Sequence, residues 1–198
     1  MAVVKRSLWP QLWGLFIVPS FLSKYYTAAP VKLAYRGVGE FFVWFAFGPM
    51  AVWIASVSQD LGLHPLVAAA MPATGLSTLS ILLIGQMIDL PADKATGKWG
   101  IAVRIGIPKT SRVYLAVQGL LVLNLVVLTW RMGWHGLPVL LGAVPYAVLL
   151  PRIGKLLDFG KGDVEALKAA AKTNVRLHLL FSFLFILGLG LSLLIKGR

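Results

Sequence analysis

Long apolar runs, broken at intervals by short clusters of charge, dominate this chain. Six uncharged stretches stand out, at residues 7–23, 41–59, 61–88, 113–130, 132–151 and 177–195. A helix rises about 1.5 Å per residue and the hydrocarbon layer is about 30 Å thick, so a spanning segment needs about 20 mostly apolar residues. The first stretch is the shortest and carries Pro10 and Pro19. The pattern predicts an all-α, polytopic transmembrane bundle of about six helices, with residues 1–198 forming one domain.

Residues 162–176 follow a different pattern. Asp163 suits an N-cap, Glu165 falls in the first turn, and Ala166, Ala169, Ala170 and Ala171 favour helix. Lys168, Lys172 and Arg176 recur every four residues and so share one face. Such a face either touches anionic lipid headgroups or overhangs an anionic substrate.

Composition supports the bilayer as solvent. Of 198 residues 58% are hydrophobic and only 13% charged, where a soluble domain has about a quarter charged. Mean hydropathy is +0.81. With no cysteine, disulfide, zinc–thiolate and thiol-nucleophile chemistry are excluded. The net charge of +12 would suggest nucleic acid in a soluble chain. Here no polar part is large enough to be a reading domain, so nucleic acid is not an expected partner.

The position of the charge is more informative. With the loops alternating across the membrane, 14 of the 19 Lys and Arg fall in loops 24–40, 89–112 and 152–176, all on one side. Cytoplasmic loops carry the excess of Lys and Arg. The expected location is therefore the cytoplasmic (inner) membrane, with the loop at Asp89 and Asp93 facing the cytoplasm. This topology leaves the N-terminus outside with Lys5 and Arg6. A cleaved signal peptide would explain that, but it would put Lys24, Lys32 and Arg36 outside, and no convincing small-residue cleavage site is present.

Candidate chemistry concentrates on the basic side. The chain has seven acids, and two of them, Asp89 and Asp93, stand four apart at the end of a long apolar run. If the helix continues through them they project from one face about a turn apart, although Pro91 suggests a kink there. Lys94, Lys98 and Arg104 follow. Mg²⁺ favours oxygen ligands and is commonly held by one or two carboxylates plus phosphate oxygens. The pair therefore suits a magnesium–diphosphate complex, with the cations on the phosphates. The alternative is a solvated loop in which Asp and Lys merely pair. A second polar cluster, from Lys24 to Glu40, lies on the same side and holds Tyr25, Tyr26, Lys32, Tyr35 and Arg36. It is either an interfacial anchor belt or a wall of the same site, with Glu40 capping the next helix or pairing with Arg36. Of the histidines, His64 and His135 fall on the far side, and His178, one turn from Asn174, is expected to be a hydrogen-bonded structural residue. No phosphate-loop GK(S/T), HExxH or GxSxG pattern is present.

Three segments together resemble the UbiA family of intramembrane aromatic prenyltransferases. Residues 26–40, with Tyr26, Pro30, Tyr35, Arg36, Gly37, Gly39 and Glu40, are similar to the family's loop between its fourth and fifth helices. Residues 89–106, with Asp89, Asp93, Lys94, Gly97, Lys98, Arg104 and Gly106, resemble its second aspartate-rich motif. Residues 173–178 resemble the start of its last helix. The likeness is strongest to the menaquinone-type branch, similar to 1,4-dihydroxy-2-naphthoate prenyltransferases. The ubiquinone-type branch has Tyr and Lys eight and four residues before the first Asp, where this chain has Ile81 and Gly85.

The resemblance implies transfer of a polyprenyl group from a polyprenyl diphosphate to an aromatic acceptor, with Mg²⁺ assisting loss of diphosphate. It assigns Asp89 and Asp93 as metal and catalytic residues. Lys94, Lys98, Arg104, Lys32 and Arg36 become diphosphate-binding residues, and Tyr26 a substrate-wall residue. Family members have nine helices and a first motif of the form NDxxDxxxD, which has no counterpart before Asp60. The expectation is a fold lacking its N-terminal third. That would make this either a portion of such an enzyme or a non-catalytic membrane module, with a possible partner chain supplying the missing helices. A CDP-alcohol phosphotransferase also ends its motif in DxxxD, but its upstream DG…AR element is absent. A transporter is disfavoured because the charges sit at helix ends.

Overall fold

In a lipid bilayer every backbone polar group must be satisfied internally, and helix is the economical solution for an open chain. A computed structural model describes residues 9–59, 64–160 and 163–197, and every regular element among them is helical. Helix α1 is Trp9–Tyr25. A loop with a 3₁₀ turn at Leu33–Tyr35 leads to α2 (Gly39–Phe45), a π-helical turn (Ala46–Met50) and α3 (Ala51–Ser58). Then come α4 (Pro65–Ile88), the short α5 (Leu90–Ala95) and α6 (Ile101–Met132). A 3₁₀ run (Gly133–Ala143) joins α6 to α7 (Val144–Gly160), and α8 is Val164–Lys196.

Among the described residues four helical stretches are long and apolar enough to cross a membrane: Gly39–Ser58, Pro65–Ile88, Ile101–Asp158 and Val164–Lys196. The third holds two of the expected spans, 113–130 and 132–151, folded as a hairpin. Gly133 makes the reversal at φ 67, a left-handed value open to glycine. The expected span 7–23 corresponds to α1. The described residues of α1, Trp9–Tyr25, number 17, about 26 Å at helical rise. Of its side chains only Leu15 is buried. An apolar cavity of about 320 Å³ lies between α1 and α2–α3, lined by Leu15, Val18, Phe45, Met50 and Trp53.

Lipid tails are as apolar as leucine, so helices in a bilayer associate through close packing and interhelical hydrogen bonds rather than hydrophobic burial. Glycines make the closest crossings. Gly48 and Gly75 let α4 pass against the π-turn, where a Cβ on Gly75 would strike the Trp44 carbonyl. The 3₁₀ run has three residues per turn, and its buried positions are Gly136, Val139 and Gly142, every third residue. This small-residue stripe faces α6 and α8, with Gly142 against Leu125 and Phe185. Around it Leu83, Ile84 and Met87 of α4, Leu121 and Leu125 of α6, Ile153 of α7 and Phe181 of α8 form the core.

A Cβ at Gly188 would meet the Pro138 carbonyl, whereas one at Gly190 meets nothing within 4 Å. Gly188→Ala is therefore expected to destabilise by about 1–3 kcal/mol through overpacking. Gly190→Ala is expected to stabilise by up to about 1 kcal/mol through helix propensity. Denaturant or thermal unfolding in detergent reads both, and equal effects from the two substitutions would contradict the crossing.

Interhelical hydrogen bonds are concentrated on Asn174. Its Oδ1 accepts from the Tyr114 hydroxyl at 2.9 Å and from Gln118 Nε2 at 3.2 Å, and its Nδ2 donates to Ser80 Oγ at 3.2 Å, tying α8 to α6 and α4. His178 does bond as a structural residue, but through Nδ1 to Ser77 Oγ at 2.8 Å rather than to Asn174. His64 caps α4, its Nδ1 accepting from the Leu66 amide.

Candidate functional site

The run from Asp89 to Gly100 is a compact reversal between α4 and α6. Helix α4 ends at Asp89, and Pro91 falls in the first turn of α5, where its missing N–H costs nothing. The Asp93 amide bonds the Asp89 carbonyl at 2.8 Å, so the two residues are one helical turn apart. They nevertheless have unlike surroundings: Asp93 is buried and Asp89 is exposed. The change of direction at Asp89 turns the following helix so that only the second carboxylate faces inward.

Helix α5 closes in a Schellman motif. Gly97 takes φ 72, its amide bonds the Lys94 carbonyl at 3.3 Å, and the Lys98 amide bonds the Asp93 carbonyl at 2.9 Å. This closure brings Lys98 back over Asp93, where Lys98 Nζ donates to Asp93 Oδ1 at 3.2 Å. Asp93 Oδ2 is buried and has no protein partner. A buried acceptor left without a donor or cation carries a desolvation cost.

A second set of contacts clasps the loop before α2 to this reversal. Glu40 Oε1 accepts from the Ile101 amide at 2.7 Å and from Gln86 Nε2 at 2.9 Å. Gln86 Oε1 also accepts from the Ile101 amide, at 3.1 Å. A carboxylate at the amide end of α6 is stabilised by the orphan N–H groups and the helix dipole. A Cβ on Gly100 would lie 2.8 Å from Gln86 Nε2, so a larger residue here would have to displace the Gln86 amide from this cluster. Arg104 Nη1 donates to the Gly37 carbonyl at 2.9 Å, and Gly37 (φ 73) packs against Trp99. Glu40 thus joins α2, α4 and α6 and does not pair with Arg36. It is the residue that sequence reasoning placed least well, because its partners lie 46 and 61 positions away. Helix α6 is itself broken at Gly106 (φ 76), just before Pro108.

The other expected site residues fall into two groups. Tyr26 stands against this clasp, its hydroxyl 3.2 Å from where a Cβ on Gly39 would sit. Burial, then the negative charges of Glu40 and Asp93, raises its phenol above the usual range, so it is a protonated donor at neutral pH. Lys94 is exposed. Lys32, in a left-handed conformation at φ 51, sets its Nζ 5.5 Å from the centre of the Tyr35 ring. The Arg36 guanidinium bonds back to the Val31 and Pro30 carbonyls of its own loop.

Among the described residues no group of three or more His, Asp or Glu side chains gathers as a metal cage. Two carboxylates, one with a buried unpaired oxygen, fit a hard cation that takes its remaining ligands from water and phosphate. They do not fit a closed, all-protein site.

The sequence profile of the UbiA prenyltransferase family matches residues 6–175. The chain belongs to that family. It is 30% identical over 176 residues to a 2-carboxy-1,4-naphthoquinone phytyltransferase of Synechocystis sp., a match covering 87% of this chain and 56% of that protein. To a 1,4-dihydroxy-2-naphthoate octaprenyltransferase of Mycobacterium tuberculosis it is 35% identical over 107 residues, 52% of this chain and 37% of the relative. A protein of the same description in Escherichia coli is 28% identical over 186 residues, 91% and 57% of the two chains. The chain thus spans about half the length of the curated relatives it matches over most of its own length. No solved structure matches it.

Proposed function

We propose that this chain forms one half of the diphosphate-binding site of a menaquinone-type aromatic prenyltransferase. The observation that carries the reading is Asp93: buried, paired to Lys98 on one oxygen and unpartnered on the other. Asp93 and Asp89 are the residues that would hold Mg²⁺, and bound Mg²⁺ would stabilise negative charge on the departing diphosphate. Lys98 and Lys94 add positive charge beside the phosphates, and Arg104 orders the loop above them while contributing its own. The allylic C–O bond breaks with its electrons leaving on the diphosphate. A carbon of the aromatic ring bonds the allylic carbon, and the ring then loses its proton, or a carboxyl group as CO₂. The apolar cavity between α1 and α2–α3 suits hydrocarbon such as the prenyl tail. The excess of Lys and Arg on the site's side supports a cytoplasmic orientation.

On this reading the carboxylates of an NDxxDxxxD motif would complete the two-motif site. The test is transfer of a radiolabelled prenyl group to a dihydroxynaphthoate in membranes holding the chain together with a family segment bearing NDxxDxxxD. Product is expected only when both parts are present. Equal transfer from the NDxxDxxxD segment by itself would overturn the proposal. It would favour the second reading, a non-catalytic module or partner subunit, to which the half-length match also points.

A further inference from the structure

We infer that the basic end of α6, α7 and α8 is a binding collar for anionic phospholipid headgroups. Arg112, Arg152, Lys155, Lys172 and Arg176 are all exposed, and none forms an ion pair among the described residues. They come from three different helices, so a shared height is not a consequence of sequence spacing.

That height follows from the packing. Tyr146 of α7 meets Phe181 of α8, with ring centroids 5.9 Å apart. The two helices are antiparallel. From that contact Arg152 is six residues along α7 and Arg176 five back along α8, displacements of about 9 and 7.5 Å. Lys155 and Lys172 are each nine residues away, about 13.5 Å. On the other side Gly154 faces Leu115 of α6, which puts Arg112 about 3 Å beyond Lys155. All five cations therefore lie in a band about 9 Å tall.

The band coincides with the end of the apolar spans. Beyond Arg112 the chain is uncharged through 113–130, before Arg152 through 132–151, and beyond Arg176 through 177–195. The last run of 19 residues is about 28 Å of helix, one hydrocarbon thickness, so Arg176 marks the level of the headgroups. The described acids of this end, Asp158, Asp163 and Glu165, lie farther out, and Glu165 is taken by Lys168 at 2.8 Å. What meets five unpaired cations at headgroup depth is lipid phosphate, and charge complementarity selects anionic headgroups over zwitterionic ones. A soluble polyanion would find this band half sunk in the bilayer. The inference does not depend on the proposed prenyl transfer.

The test is native mass spectrometry of the detergent-purified chain offered equal phosphatidylglycerol and phosphatidylcholine. The wild type is expected to retain phosphatidylglycerol with a preference of at least roughly tenfold, weakening with salt. In R112Q/R152Q/K155Q/K172Q/R176Q the preference is expected to fall to within about twofold, and K24Q/K196Q is expected to keep it. Should the fivefold variant not fold, R152Q/R176Q and K155Q/K172Q are each expected to lose part of the preference. Equal retention of both lipids by the wild type overturns the inference. So does an unchanged preference in the collar variants, or an equal loss in K24Q/K196Q.

Discussion

Asp93→Asn is expected to lower prenyl transfer roughly 100- to 1,000-fold, the scale of removing one electrostatic stabiliser of a leaving group. The substitution keeps the shape of the side chain. It removes the charge that pairs with Lys98 and replaces one acceptor oxygen with a donor that cannot ligate a cation. Because Asp93 is buried, Lys98 then keeps its charge with no counter-ion 3.2 Å away. Asp89→Asn is expected to cost less, since Asp89 is exposed and water can replace part of its contribution. Radiolabelled transfer at saturating prenyl diphosphate in membranes that also hold the NDxxDxxxD segment, beside thermal melts confirming a folded bundle, distinguishes the two. Full activity in folded Asp93→Asn would remove this carboxylate from the chemistry.

Glu40→Ala is expected to cost about 10- to 100-fold in transfer although Glu40 is placed here to touch protein only, the range found for residues that orient ligands from behind. It leaves Gln86 Nε2 without its carboxylate partner and takes one of two acceptors from the Ile101 amide. A lost partner of this kind also destabilises by about 1–3 kcal/mol. Glu40→Gln offers the same Oε1 acceptor without the charge and is expected to recover most of the activity. Hydrogen exchange at Ile101 gives a readout independent of turnover: fast in Glu40→Ala and slow in Glu40→Gln. Equal losses in the two variants would point to charge rather than geometry.

Much of the architecture was legible because the bilayer permits few solutions. Uncharged runs of span length had to become helices, and five of the six fall in the four long apolar helical stretches. Asp163 caps α8 through the Glu165 amide at 3.0 Å, as a local rule can foresee. Where reasoning from sequence stopped, tertiary contact took over. Nothing near Glu40 announces the Ile101 amide. Whether Asp89 and Asp93 share an environment depended on the direction taken after Asp89, which spacing alone leaves open. The closure over Lys98 was within reach: Lys-Ala-Thr-Gly after a short helix is a Schellman signal, with Gly97 supplying the left-handed residue. The small-residue stripe of the 3₁₀ run was legible only once the period was known to be three rather than 3.6.

The hydrogen bonds that converge on Asn174 bear on biogenesis. Tyr114 and Gln118 emerge from the ribosome long before the side chain that accepts from both. In the bilayer those donors have no water to turn to. The Tyr114 hydroxyl therefore gains its acceptor only once α8 is in place. A polypeptide halted short of residue 174 would present unmet donors inside the membrane, a mark by which quality-control proteases can separate unfinished chains from finished ones.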